Sequence, residues 1–171
     1  MTDVLREIAD GVERQLDPRY VQLQQQVGWI VAGVGAAVLL LGMTIVTFAT
    51  TWPTAIVIAC WALAFAIVAV LVWLAVRWPG LEYARAAYIL DDRGIEIRWG
   101  VVWRRVINVP RSRVQHTDVS QGPFERSYGL GTLVIYTAGT DHAQVDLPGL
   151  AHGTALAIRD HLLPRELPDA V

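Results

Sequence analysis

Three polar side chains between residues 109 and 139 have the types that nucleophilic catalysis uses. Ser112, His116 and Asp118 would supply a hydroxyl nucleophile, a base and a carboxylate. The surrounding pattern predicts a β-strand, and at about 3.3 Å per residue Ser112 and His116 would be separated by roughly 13 Å. A nucleophile must lie about 3 Å from its base. The spacing therefore argues against a triad, and the sequence has no G-x-S-x-G elbow. We predict no catalytic residues.

Metal and cofactor binding lack their usual patterns as well. His116, Asp118 and His142 are the candidate ligands, but there is no H-x-x-x-H pair and Cys60 is the single cysteine. The glycines of GLGT (129–132) open a predicted strand, so no helix N-terminus is offered to a phosphate. We expect no metal site and no cofactor.

Arginines dominate the remaining polar side chains. Between residues 93 and 126, seven arginines stand against three acids. Guanidinium groups suit phosphate and carboxylate partners. Three of these arginines flank a predicted chain reversal at Gly100 and, with a neighbouring tryptophan, form the candidate interaction surface: Arg98, Trp103, Arg104 and Arg105.

A second polar set lies in the loop 120–131 and its approach. Arg113, Glu125 and Arg126 are expected to form an internal network of ion pairs and hydrogen bonds that holds this loop. Anion binding by the same arginines is the alternative.

Two long apolar runs must position all of these residues relative to a membrane. Residues 27–49 and 54–76 carry no charge, and each would form a helix of roughly 34 Å, enough to cross a hydrocarbon core of about 30 Å. The chain is 54% hydrophobic with a mean hydropathy of +0.39. The short link 50–53 predicts a transmembrane hairpin over 27–76. Gly28, Gly35 and Gly42 share one helix face, which would pack on the second span or on a second copy.

Arginine placement predicts the topology. Arg14 and Arg19 precede the first span, Arg77 and Arg85 follow the second, and the link between the spans has none. The positive-inside rule therefore places both termini in the cytoplasm of a multi-pass cell-membrane protein.

Residues 1–26 form an N-terminal cytoplasmic arm. Val4, Ile8, Val12 and Leu16 recur at four-residue spacing, which predicts an amphipathic helix over 3–17 that ends at Pro18. The arm carries three arginines and five acids, so anionic lipid would repel it. Packing on the cytoplasmic domain or on a partner is expected instead.

From residue 80 the pattern changes to the period of two that β-strands show. A bulge is expected near Gln115 or His116, where strict alternation fails. Ala155, Ile158 and Leu162 then share one face of a helix that Pro164 ends, and residues 165–171 form a tail. The predicted domain spans 80–164, with strands over 86–90, 94–99, 101–109, 113–119, 132–138 and 143–147.

Several short motifs resemble the bacterial PH-like domain of the YdbS-like membrane proteins. They are LDPRY (16–20), VPRSRVQH (109–116), QGPFER (121–126), GLGTL (129–133) and TAG (137–139). The resemblance covers residues 16–163 and implies two spans followed by a PH-like barrel with a capping helix. It implies no catalytic activity and no defined ligand. Eukaryotic phosphoinositide-binding members of the wider PH superfamily use a long basic loop between their first two strands. Here the corresponding turn DDRG (91–94) is short and acidic, so that binding mode is not expected.

The predicted fold is therefore an α+β membrane protein: a two-helix transmembrane hairpin, then a PH-like bent antiparallel β-barrel with a C-terminal capping helix. We predict a non-enzymatic protein that binds another protein through this domain. The expected partners are the lipid bilayer and either a larger multi-domain membrane relative or another copy of the chain. Lipid-headgroup or anion binding is the alternative, and an enzyme or transporter component is the third. A net charge of −2 argues against nucleic acid.

Overall fold

The computed structural model describes residues 9–138 and 144–163. It divides the chain into two compact units. One is formed by residues 21–81, and the other by residues 1–20 together with 82–171. His142, Pro164, the tail 165–171 and the first part of the arm, on which several predictions fall, lie outside the described residues.

The apolar unit is a hairpin of two helices, α1 (Arg19–Ala49) and α2 (Thr54–Tyr83). Both are long and apolar enough to cross a membrane, and the predicted spans lie inside them. A Cβ atom added at Gly28 would lie 3.1 Å from the Cβ of Ala75, so the absence of a side chain lets the helices approach closely. At this position the glycine face packs on the second span, as one of the two sequence alternatives requires.

The first sheet of the β-rich unit is antiparallel, with the order β1-β2-β3-β4. The turn DDRG (91–94) joins the first two predicted strands, as expected. The Asp91 carboxylate accepts hydrogen bonds from the backbone N–H groups of Arg93 and Gly94 at 2.8 and 2.9 Å and so fixes this turn. The strands are β1 (Glu13–Gln15), β2 (Ala87–Asp91), β3 (Gly94–Trp99) and β4 (Arg105–Pro110).

The strand predicted over 101–109 begins later than expected. Gly100 has a φ of 112°, a conformation that side chains disfavour. Residues 101–104 complete the reversal, and β4 starts at Arg105, which pairs with Trp99. The turn 100–104 therefore projects beyond the end of the sheet.

The structure of the arm differs from the predicted helix. Glu13–Gln15 form β1, which pairs antiparallel with β2, so the described part of the arm is not the amphipathic helix predicted over 3–17. The run between Gly11 and Pro18 is too short for a stable helix, and sheet pairing satisfies its backbone groups instead. The expectation that the arm packs on the domain is confirmed, since Leu16 is only 3% exposed.

The second sheet has the order β5-β6-β7, also antiparallel. Its strands are β5 (Val114–Ser120), β6 (Leu130–Thr137) and β7 (Gln144–Ala151), and the short helix α3 (Pro123–Tyr128) lies between the first two. The register shifts between Val114 and His116, which confirms the predicted bulge.

The helix α4 (His152–Leu162) closes the core and confirms the predicted capping helix. Its apolar face packs against β5, β6 and β7. The hydroxyl of the buried Thr117 on β5 donates to the carbonyl of Arg159 at 3.4 Å. The most deeply buried side chains come from both sheets and this helix: Leu90, Ile95, Ile97, Leu130, Leu133, Ile135, Leu147, Leu150, Ile158 and Leu162.

Candidate interaction surface

Arg98 lies at the end of β3 and is held between two carboxylates. Its guanidinium donates to Glu96 at 2.7 Å and also bonds Glu13 of β1. The Arg98 side chain is 42% exposed, so these ion pairs contribute at most about 1 kcal/mol to stability. Their larger effect is that two carboxylates more than offset the single positive charge of Arg98, which leaves it little attraction for an anionic partner.

The turn that follows exposes an unusual amount of apolar surface. Trp103 is 83% exposed, Val102 71% and Val106 62%. A single exposed apolar side chain is ordinary, but a tryptophan with two valines beside it forms a patch that needs an explanation.

Arg104 and Arg105 border this patch and are exposed. Within residues 9–138 and 144–163, neither side chain has an ion-pair partner. Together with Arg85 and Arg98 they line an open cleft of about 560 Å³, and the acids among its described lining residues are Glu13 and Glu96. The structure thus brings the predicted residues to one end of the sheet, and their role in binding stays a prediction.

The two acidic residues of this cleft were not predicted from the sequence as part of the candidate surface. Glu96 and Arg98 lie two residues apart on one strand and therefore on the same face, so the spacing was the signal that could have predicted this pair. Glu13 is far from Arg98 in sequence, and its contact arises only because β1 joins the sheet.

Asp10, just before β1, and Tyr88 on β2 have pKa values that are shifted from the ordinary ones. The backbone N–H of Val12 donates to Asp10 and holds the pKa of that carboxyl below its ordinary value. Burial raises the pKa of Tyr88, on the neighbouring strand, above its ordinary value. Neither group therefore changes charge between pH 5 and 8.

A second open groove runs along β4. It has a volume of about 230 Å³, and among the described residues that line it Arg113 is the one that carries a charge. In the described sheets β4 has a single strand neighbour, β3, so its other edge is unpaired. The lining residues are Val106, Ile107, Asn108, Val109, Pro110, Arg113, Thr137, Ala138 and Val145.

Residues 27–166 match the family model described as the bacterial PH domain. This chain belongs to the bacterial PH domain family. It is also 39% identical over 85 residues to the UPF0699 transmembrane protein YdbS of Bacillus subtilis, a match that covers 49% of this chain and 51% of that protein. The chain thus spans about half the length of the curated relative it matches. No solved structure matches it.

The motif LDPRY of this bacterial PH domain protein anchors the arm to the domain. The backbone N–H of Asp17 donates to the carbonyl of Gly149 at 2.8 Å, and Asp17 accepts from the N–H of Arg19 at 2.9 Å. Tyr20 lies against Gly149, where an added Cβ would lie 2.7 Å from the ring. Gly149 has a φ of 76°, so both its conformation and this contact favour glycine.

In the predicted loop network of the PH domain Glu125 takes part through its side chain, and Arg126 takes part through its backbone, whose N–H donates to the carbonyl of Gly122 at 2.9 Å. Glu125 accepts from the backbone N–H of Gly122 and from the hydroxyl of Thr132, both at 2.7 Å. These donors occupy both carboxylate oxygens, and in the described part of the chain no ion pair joins Glu125 to Arg113 or Arg126. A backbone N–H at the start of α3, which has no partner within the helix, and a nearby hydroxyl bind the carboxylate instead.

The residues first considered for catalysis have separate structural surroundings in the PH domain. The His116 ring stacks on Tyr136 with ring centroids 4.1 Å apart, and Asp118 accepts from the neighbouring backbone N–H of Val119. Ser112 lies in the short 3₁₀ turn before β5. No group of three or more potential metal ligands occurs among the described residues.

Proposed function

We propose that this protein is a non-enzymatic, multi-pass membrane protein whose cytoplasmic PH domain binds another membrane protein. The partner is a larger multi-domain relative or a second copy of the chain. Membership in the bacterial PH domain family and the likeness to a transmembrane protein support the membrane setting. The separate surroundings of Ser112, His116 and Asp118 support a non-enzymatic role.

The groove along β4 carries the proposed protein interaction. An unpaired strand edge offers backbone N–H and C=O groups, which an extended segment of a partner can pair with. The groove supplies room for the side chains of such a segment. Arg113, a charged residue of its lining, suits a segment with an acidic side chain. The partner would thus add a strand to the first sheet.

The proposed topology is tested with reporter fusions after residues 20, 52 and 100. Because the arginines flank the hairpin and are absent from its link, an alkaline phosphatase reporter should be active only after residue 52. A green fluorescent reporter at the same positions should give the opposite pattern. Phosphatase activity after residue 20 or 100 would contradict the cytoplasmic location of the termini.

The proposed partner site is tested by photo-crosslinking in native membranes. A photoreactive amino acid at Asn108, which is exposed in the groove, should give one discrete adduct. Mass spectrometry should assign it to an extended segment of a second membrane protein or of another copy. The same probe at Asp118, exposed on β5 outside the groove, serves as the control.

Charge reversal provides the matched comparison for this experiment. Arg113→Glu should abolish the adduct at Asn108, whereas Arg126→Glu, an exposed arginine outside the groove, should leave it unchanged. Equal adducts at Asn108 and Asp118, or an adduct that survives Arg113→Glu, would contradict the groove as the binding site.

A further inference from the structure

The position of the turn 100–104 follows from strand register and chain connectivity. Ala87, the first residue of β2, pairs with both Arg98 of β3 and Gln15 of β1. The sheet end that carries the turn is therefore also the end where the chain leaves β1 and later enters β2. Only residues 16–18 and 84–86 separate this end from the apolar helices α1 and α2. Short connections therefore join this sheet end to both helices.

The side chains at the tip of the turn are those that a bilayer interface accepts. Tryptophan prefers the headgroup level, where its ring is apolar and its N–H can be hydrated. Trp103 and Val102 are the most exposed large apolar side chains among the described residues of the β-rich unit. Water is a poor environment for this surface, and a membrane interface is a favourable one.

The charges beside the tip have the sign that anionic lipid attracts. Arg98 is paired with Glu13 and Glu96. The described lining of the cleft has four arginines against these two acids, so with Arg85, Arg104 and Arg105 its net charge is positive. Arginine forks suit the phosphate of a lipid headgroup.

We propose that the turn 100–104 docks on the surface of an anionic bilayer, with Trp103 and Val102 in the interface and Arg104 and Arg105 on lipid phosphates. This contact would orient the PH domain on the membrane. It does not depend on the groove along β4, because the described residues that line the groove and the cleft differ except for Val106. A protein partner on the same patch would need no anionic lipid, and this difference decides the test.

The test uses the full chain in proteoliposomes, with Cys60→Ala as the background. An environment-sensitive dye is attached at Val102→Cys, which retains Trp103, or at Asp92→Cys in the turn at the opposite end of β2 and β3. In vesicles of phosphatidylcholine with phosphatidylglycerol, doxyl-labelled lipid should quench the dye at 102 and spare the dye at 92. Quenching should weaken in phosphatidylcholine alone and at high salt.

Arginine removal gives the quantitative arm of the experiment. Each arginine near an anionic surface changes the docked-to-undocked ratio about fivefold, so Arg104→Ala with Arg105→Ala should lower it about 25-fold. The control double variant Arg93→Ala with Arg126→Ala removes two exposed arginines elsewhere and should leave the ratio unchanged.

Three results would overturn the proposal. One is equal quenching at 92 and 102, and another is quenching at 102 that ignores lipid charge. The third is a dye at 102 that is shielded from water but beyond the reach of lipid quenchers, because that result would place a protein on the patch. Loss of the crosslink at Asn108 with normal quenching at 102 would refute the groove alone.

Discussion

Ile158→Asp should severely destabilise the PH domain and leave the helical hairpin in place. Ile158 is fully buried on the face of α4 that packs against β5, β6 and β7. The substitution removes core contacts and places a carboxylate where no partner exists. We expect a loss on the order of 4 kcal/mol, a large part of the 5–15 kcal/mol that stabilises a typical domain.

Hydrogen exchange of the full chain in a lipid nanodisc measures this effect. The backbone amides of β6 and β7 should lose their protection, while those of the apolar helices α1 and α2 should keep it. Ala157→Asp, on a half-buried position of the same helix, is the matched control and should cost much less. Equal protection of β6 in Ile158→Asp and the unmodified chain would show that α4 does not complete the core.

Leu16→Asp should have a comparable effect, although Leu16 precedes both apolar helices in sequence. Its side chain is 3% exposed, and it directly follows β1, which extends the first sheet. A buried carboxylate at this site should destabilise the domain by about 3 kcal/mol or more. The first sheet, β2 and β3 above all, should lose amide protection first.

The control for this variant lies on the same arm. Val12 is 55% exposed, so Val12→Asp should change stability by less than about 0.5 kcal/mol. A fragment that begins at residue 80 lacks both β1 and Leu16, and we expect it to melt at a lower temperature than the domain of the full chain. Cooperative unfolding of that fragment at the same temperature would contradict a structural role for the arm.

Local periodicity was enough to predict the helical hairpin and most of the β-rich domain. The two apolar runs identify α1 and α2 because an uncharged run of such length suits a membrane far better than water. Alternation of apolar and polar residues identified β2, β3 and the later strands, and the failure of alternation located the bulge after Val114. The buried stripe Ala155, Ile158 and Leu162 of α4 was visible from its helical spacing.

Long-range pairing decided the features that bear on binding. The arm became a strand because β2 offered it backbone partners, a choice that its four-residue periodicity does not reveal. Glu13 forms an ion pair with Arg98 across a large sequence separation, so the charge of the candidate surface cannot be counted from the local sequence. The sequence alone determined the residue types in the turn 100–104. Only the strand register placed that turn at the sheet end that leads to both apolar helices, because hydrogen bonds between distant strands set which residues lie opposite one another.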